Sequence, residues 1–133
     1  MELAHASIER LVEAARRAQK KAYAPYSKFP VGAAVLGEDG QVFLGCNVEN
    51  GSFGLTVCAE RNAVAAAVVA GALPVAVAVV APEAATAPCG ACRQVLAEFS
   101  AAMPVILATP SGEDRQVNTL DALLPGAFRF TTR

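Results

Sequence analysis

The run from Val57 to Cys92, VCAERNAVAAAVVAGALPVAVAVVAPEAATAPCGAC, decides how this chain folds. Its middle, Ala63 to Pro82, is twenty residues long and holds no charged or polar side chain. That length would suffice for a membrane span, but Gly71 and Pro74 interrupt it. Gly71 suits a helix C-cap, and Pro74 stops a helix from continuing. Beyond it, Val75, Val77, Val79 and Val80 read as a buried strand. The run is therefore a buried helix from near Val57 to Ala70, with Thr56 as its N-cap, and then a strand, Val75 to Ala81. A second helix opens at Pro88, where a missing N–H costs nothing, and continues to about Phe99.

Working outward, Ile8, Leu11, Val12, Ala15, Ala18 and Ala22 recur at helical spacing, with Glu9, Glu13, Arg16 and Arg17 between them. They predict an amphipathic helix from about Glu2 to Ala22. A loop carrying Pro25, Tyr26, Ser27 and Pro30 leads to a strand, Val31 to Leu36. Glu38-Asp39-Gly40 is a hairpin turn before a returning strand, Val42 to Val48. After the second motif helix come a strand, Val105 to Ala108, a weaker strand near Arg115 to Val117, and a short helix, Leu120 to Leu124. The predicted fold class is α/β: a three-layer α/β/α sandwich with a mixed sheet of about five strands. No linker or internal repeat divides the sequence, so residues 1–133 read as one catalytic domain.

A formal net charge of −1 argues against a nucleic-acid-binding surface. The basic run Arg16-Arg17-Ala18-Gln19-Lys20-Lys21 reads as a solvated helix face. Four cysteines without a secretory signal do not make a disulfide framework. A reducing cytoplasm is the expected location, with no membrane partner.

The chemistry lies in Cys58-Ala59-Glu60 and Pro88-Cys89-Gly90-Ala91-Cys92. Three thiols at this spacing suffice to hold one Zn²⁺ per chain and leave a fourth position open, as a catalytic site requires. A carboxylate two residues after the first thiol is the arrangement of zinc-dependent deaminases. Cys89 and Cys92, three apart, share one helix face, and helix starts lower thiol pKa values. Three thiolates leave the site net negative. Helix-end N–H groups and Arg61, beside Glu60, are the candidates to offset that charge. Glu60 is the expected proton shuttle, acting as base and then as acid. Two rival readings stand beside this one. Cys89 and Cys92 fit a thiol-redox pair, and a structural zinc site would need a fourth ligand. Cys46 reads as a buried free thiol, and His5 as a surface residue of the first helix.

Taken together, Cys58-Ala59-Glu60-Arg61 and Pro88-Cys89-Gly90-Ala91-Cys92-Arg93-Gln94 resemble the small homotetrameric cytidine deaminases. Ser27-Lys28-Phe29-Pro30-Val31-Gly32-Ala33-Ala34 and Gly45-Cys46-Asn47-Val48-Glu49-Asn50 look like two further signatures of that family. The resemblance extends from Tyr26 to Phe128. It implies that Phe29 packs against a pyrimidine nucleoside and that Asn47 and Glu49 hydrogen-bond its ribose. It also implies a homotetramer in which Phe128, in Leu123-Leu124-Pro125-Gly126-Ala127-Phe128, lines a neighbour's site. The implied reaction is hydrolytic deamination of cytidine and 2′-deoxycytidine in pyrimidine salvage. The second motif also resembles blasticidin S deaminase, but Asn47 and Glu49 favour a nucleoside. Gly51 and Phe53 depart from the Ala and Tyr frequent in relatives, which bears on affinity more than on reaction type.

Overall fold

The computed structural model describes residues 3–83 and 85–130. The elements are α1 (His5–Gln19), β1 (Gly32–Gly37), β2 (Val42–Cys46), α2 (Ala59–Val69), β3 (Pro74–Val80), α3 (Gly90–Ala97), β4 (Pro104–Ala108), β5 (Arg115–Thr119) and α4 (Leu120–Leu123). Five strands form one sheet in the order β2-β1-β3-β4-β5. β1 runs antiparallel to both of its neighbours, β3 and β4 are parallel, and β5 returns antiparallel. β2 and β3 therefore point the same way on either side of β1, joined by α2. The expected mixed sheet is present, with helical crossovers where its strands run parallel.

Alternation along the strands sorts two cores. Ala34, Ala76, Ala78, Val80, Ile106 and Ala108 face α1, which answers with Leu11, Val12, Ala14 and Ala15. On the opposite face Ala33, Val35, Val77, Val79, Val105 and Leu107 meet Ala63, Val64 and Ala67 of α2 and Leu96 of α3. A central sheet covered on both sides makes three layers. The charge-free stretch after Ala63 contributes to both cores, which is why it needs no lipid. No described helix is long and apolar enough to cross a membrane.

Two glycines set how closely the helices lie on the sheet. A Cβ on Gly32 would stand 2.1 Å from the Ala15 carbonyl oxygen in α1, and one on Gly45 would stand 2.3 Å from the Ala59 carbonyl oxygen in α2. Only a residue without a side chain admits the helix backbone there. The Gly45 contact seats the first turn of α2, and so places Cys58 and Glu60.

Several predicted boundaries move. α1 is shorter than expected, and the predicted start at Glu2 lies outside the described residues. Its inner face includes Gln19, which is buried although it belongs to the run read as solvated. The amide explains this: Gln19 Nε2 donates to the Pro30 carbonyl at 3.1 Å. Thr56 is not an N-cap; it closes a short 3₁₀ turn, Phe53–Leu55, and Cys58 caps α2 instead. Pro88 likewise precedes the N-cap of α3, which is Cys89. Both capping cysteines have extended backbones and make no side-chain cap hydrogen bond, because their thiols turn toward each other.

Candidate active site

Two helix starts converge, and the thiols meet between them. Cys58 Sγ and Cys89 Sγ are 3.9 Å apart, Cys89 Sγ and Cys92 Sγ 3.5 Å, and all three sulfurs lie within 4.8 Å of one another. Tetrahedral zinc with Zn–S bonds of about 2.3 Å holds its ligand sulfurs roughly 3.8 Å apart. The donor set therefore fits zinc in kind and in spacing. A redox pair requires two thiols, whereas here Cys58 completes a trio. Cys46 lies outside it; this thiol is partly exposed rather than buried, and it points toward the Lys21 carbonyl at 3.5 Å. His5 is exposed beside Glu9, as a surface residue should be.

The cluster is electrostatically uneven. Cys58 is lowered to about 5, chiefly by the hydrogen bond from Cys92 and further by Arg61 and Cys89. The Cys92 thiol is pushed up by that same bond to Cys58 and by burial. The first thiolate thus forms on Cys58, where Arg61 Nη2 donates to the sulfur at 3.6 Å. Arg61 Nε is buried and has no partner among the described residues, and the guanidinium also interacts with Cys92, so its charge is directed at the thiol cluster. A thiolate stabilised by a cation is a metal ligand in waiting.

Glu60 is 5% exposed, and burial raises its pKa, helped by the charge on Cys58. A carboxyl group held in this way exchanges protons closer to neutrality than a solvated one. Asn47, Cys58, Glu60 and Cys89 line a common cavity of about 170 Å³, together with Val31 and Thr56.

Asn47 and Glu49 do not sit side by side on a strand, since β2 ends at Cys46. Asn47 Oδ1 accepts from the Val31 N–H at 2.9 Å, and its Nδ2 donates to the Phe29 carbonyl at 3.0 Å. Glu49 Oε1 accepts from the Tyr26 and Ser27 N–H groups, and Oε2 accepts from the Ser27 hydroxyl. The Ser27 hydroxyl and these N–H groups hold the Glu49 carboxyl below its ordinary value. Both side chains thus brace the loop from Tyr26 to Val31, in which Lys28 has a positive φ of 58°.

Glu49 lines a second hollow of about 370 Å³ with Tyr26, Ser27 and Phe53, and Thr56 borders both spaces. Tyr26 meets Phe53 edge-on, with ring centroids 5.7 Å apart, and its hydroxyl would lie 3.1 Å from a Cβ at Gly51. The departures at Gly51 and Phe53 therefore surround one tyrosine. Phe29 is half-buried and Phe128 is 71% exposed; neither lines these two spaces. The sequence pattern misplaces Thr56, read as an N-cap, and Gln19, read as part of a solvated face. The available signal for Gln19 was an amide four residues beyond Ala15 on the apolar stripe, which must find a partner once buried.

Residues 5–108 match the family model described as the cytidine and deoxycytidylate deaminase zinc-binding region. The chain is 51% identical over 124 residues to the cytidine deaminase of Sporosarcina psychrophila, covering 91% of this chain and 90% of that protein. Against the cytidine deaminase of Halalkalibacterium halodurans it is 49% identical over 121 residues, covering 89% and 91%. Its structure is similar to the crystal structure of cytidine deaminase from Burkholderia pseudomallei, with a TM-score of 0.87 and 47% identity over 95% of this chain and all of that one. The Mycobacterium tuberculosis cytidine deaminase structure gives a TM-score of 0.78 at 42% identity, covering 91% and 96%. With a fold, a three-thiol site and relatives that agree over nearly their whole lengths, this chain belongs to the cytidine and deoxycytidylate deaminase family.

Proposed function

We propose that the chain hydrolyses cytidine and 2′-deoxycytidine to the corresponding uridines and ammonia, using Cys58, Cys89 and Cys92 to hold zinc and Glu60 to move protons. The observation that carries this reading is the buried Glu60 in one cavity with Cys58 and Cys89, two of the three clustered thiols. Bound zinc would supply a Lewis acid that makes water nucleophilic near neutral pH.

The protein's own groups divide the remaining work. Glu60 takes a proton from the attacking water, gives it to ring N3, and later helps protonate the departing 4-amino group. Its raised pKa suits both directions of transfer. Arg61 offsets the thiolate charge at Cys58, which preserves the electrophilicity of the site. Asn47 keeps one amide hydrogen beyond its bond to Phe29, and that hydrogen is suited to a ribose hydroxyl. Glu49, at the mouth of the larger hollow, retains acceptor capacity for a second hydroxyl. Phe29, whose carbonyl accepts from Asn47, lies outside both hollows, so its contact with the base requires the Tyr26–Val31 loop to turn toward the bound nucleoside.

Residues 1–133 act as one catalytic domain. Self-association to a tetramer gives the exposed Phe128 and Phe53 a partner, with Phe128 closing a neighbour's pocket. Four cysteines with no disulfide among them suit the cytoplasm, and the role is pyrimidine salvage. The test follows cytidine by ultraviolet absorbance and identifies the products. Uridine and ammonia in equal amounts are expected. Zinc-loaded protein that is inert on both nucleosides yet active on another aminated ring would overturn the substrate assignment.

A further inference from the structure

The second motif continues past its thiols into Arg93 and Gln94, and their side chains reach away from the cavity. Arg93 Nε donates to the Pro88 carbonyl at 2.8 Å, and Nη1 donates to the Leu123 carbonyl. Gln94 Nε2 donates to the Phe128 carbonyl at 3.0 Å. Two consecutive side chains of α3 thus hold the C-terminal segment at both its ends, Leu123 and Phe128. A turn at Gly126, with φ of 66°, lies between those ties. Leu124 and Ala127 pack against the core from this segment.

Arg93 faces in two directions at once. Pro88 immediately precedes Cys89, so one end of the guanidinium fixes the entry to the thiol helix while the other fixes the end of α4. A planar fork keeps two carbonyls in one fixed relation, which a single ammonium on a flexible stem does not. Building on the assignment of Cys58, Cys89 and Cys92 as zinc ligands, we infer that Arg93 is a positioning residue that couples the metal site to the segment from Leu123 to Phe128. Metal that fixes Cys89 and Cys92 restrains this segment, and by reciprocity a loosened segment weakens metal binding.

The test uses the full chain and two readouts besides activity. Co²⁺ titration, followed by its thiolate charge-transfer absorbance, gives affinity. Hydrogen exchange at the amides of Leu124 and Gly126 to Phe128, with and without Zn²⁺, gives the restraint. In the wild type, metal should slow exchange there by about tenfold or more, the ~1.4 kcal/mol that lies within the range of typical coupling energies. Arg93→Lys should lose that protection and bind Co²⁺ about tenfold more weakly, as expected for a support one step removed from a ligand. Gln94→Ala should lose protection only near Phe128 and keep its cobalt affinity.

Faster exchange in Arg93→Lys with unchanged cobalt affinity would mark a merely structural tie and overturn the inference. If Arg93→Lys does not fold, the wild type decides alone, because absence of metal-dependent protection overturns the coupling. A wild type that binds no Co²⁺ overturns both this coupling and the zinc assignment. Binding without protection overturns the coupling only.

Discussion

Arg61 and Asn47 show how much of this site depends on single polar groups. Arg61 donates to the Cys58 sulfur and has a raised pKa from that contact. Arg61→Gln should therefore lower kcat by about 10- to 100-fold, the usual cost of removing a group that supports a metal ligand. Steady-state kinetics on metal-loaded protein checks this, and an unchanged kcat would show that Arg61 does not support the metal site. Asn47→Ala would leave the Val31 N–H and the Phe29 carbonyl unpaired in a largely buried place, at a cost of about 1–3 kcal/mol. Urea unfolding should show the loss as a lower midpoint. At this scale the zinc motif was legible because its spacing is local to two helix starts. The loop-bracing work of Asn47 and Glu49 was not, since their partners lie 16 to 23 residues away and no periodicity reports such contacts.

Among the elements, the seat of α2 on β2 is the feature most exposed to a small change. Gly45→Ala forces a Cβ into the backbone of Ala59 and Ala63, where nothing flexible can yield. Destabilisation of about 3 kcal/mol or more is expected, beyond ordinary overpacking, and zinc retention should fall with it. Differential scanning calorimetry and metal content would show the two losses together. The loop from Tyr26 to Val31 makes a different prediction. Because Glu49 has a lowered pKa in the fold, its bracing is present above the ordinary carboxylate value of 4.5 and is lost as pH falls through the lower folded value. Protection factors at the Tyr26 and Ser27 amides, each referred to the intrinsic exchange rate at that pH, should therefore fall on acidification in the wild type and already be low at neutral pH in Glu49→Gln. Every predicted helix and strand exists, since hydrophobic periodicity reports burial directly. The helix starts were misplaced because Thr56 and Pro88 carry stronger generic signals than Cys58 and Cys89. Those thiols give up side-chain capping to face one another.

For the whole molecule, the sheet's two faces are covered and its outer surface still carries apolar side chains. Phe53 is 74% exposed, Leu55 66% and Val69 89%. In the proposed tetramer these are the side chains available to be covered. Sedimentation should therefore find a species larger than one chain, and activity should fall on dilution if Phe128 acts across the interface. The three-layer architecture was legible because alternating strands and intervening helices leave few other ways to bury both faces. Which apolar side chains stay on the outside was not, because exposure belongs to the folded shape rather than to the residue pattern. In the proposed mechanism the three thiols hold a catalytic zinc beside a proton-transferring Glu60. Its most direct test is cytidine turnover by wild type and Glu60→Gln, with zinc measured in the same preparations, purified without chelator. About one zinc per chain is expected in both proteins, with a kcat lower by about 10²- to 10⁴-fold in the variant. Wild type active without zinc, or a zinc-loaded Glu60→Gln as fast as wild type, would contradict it.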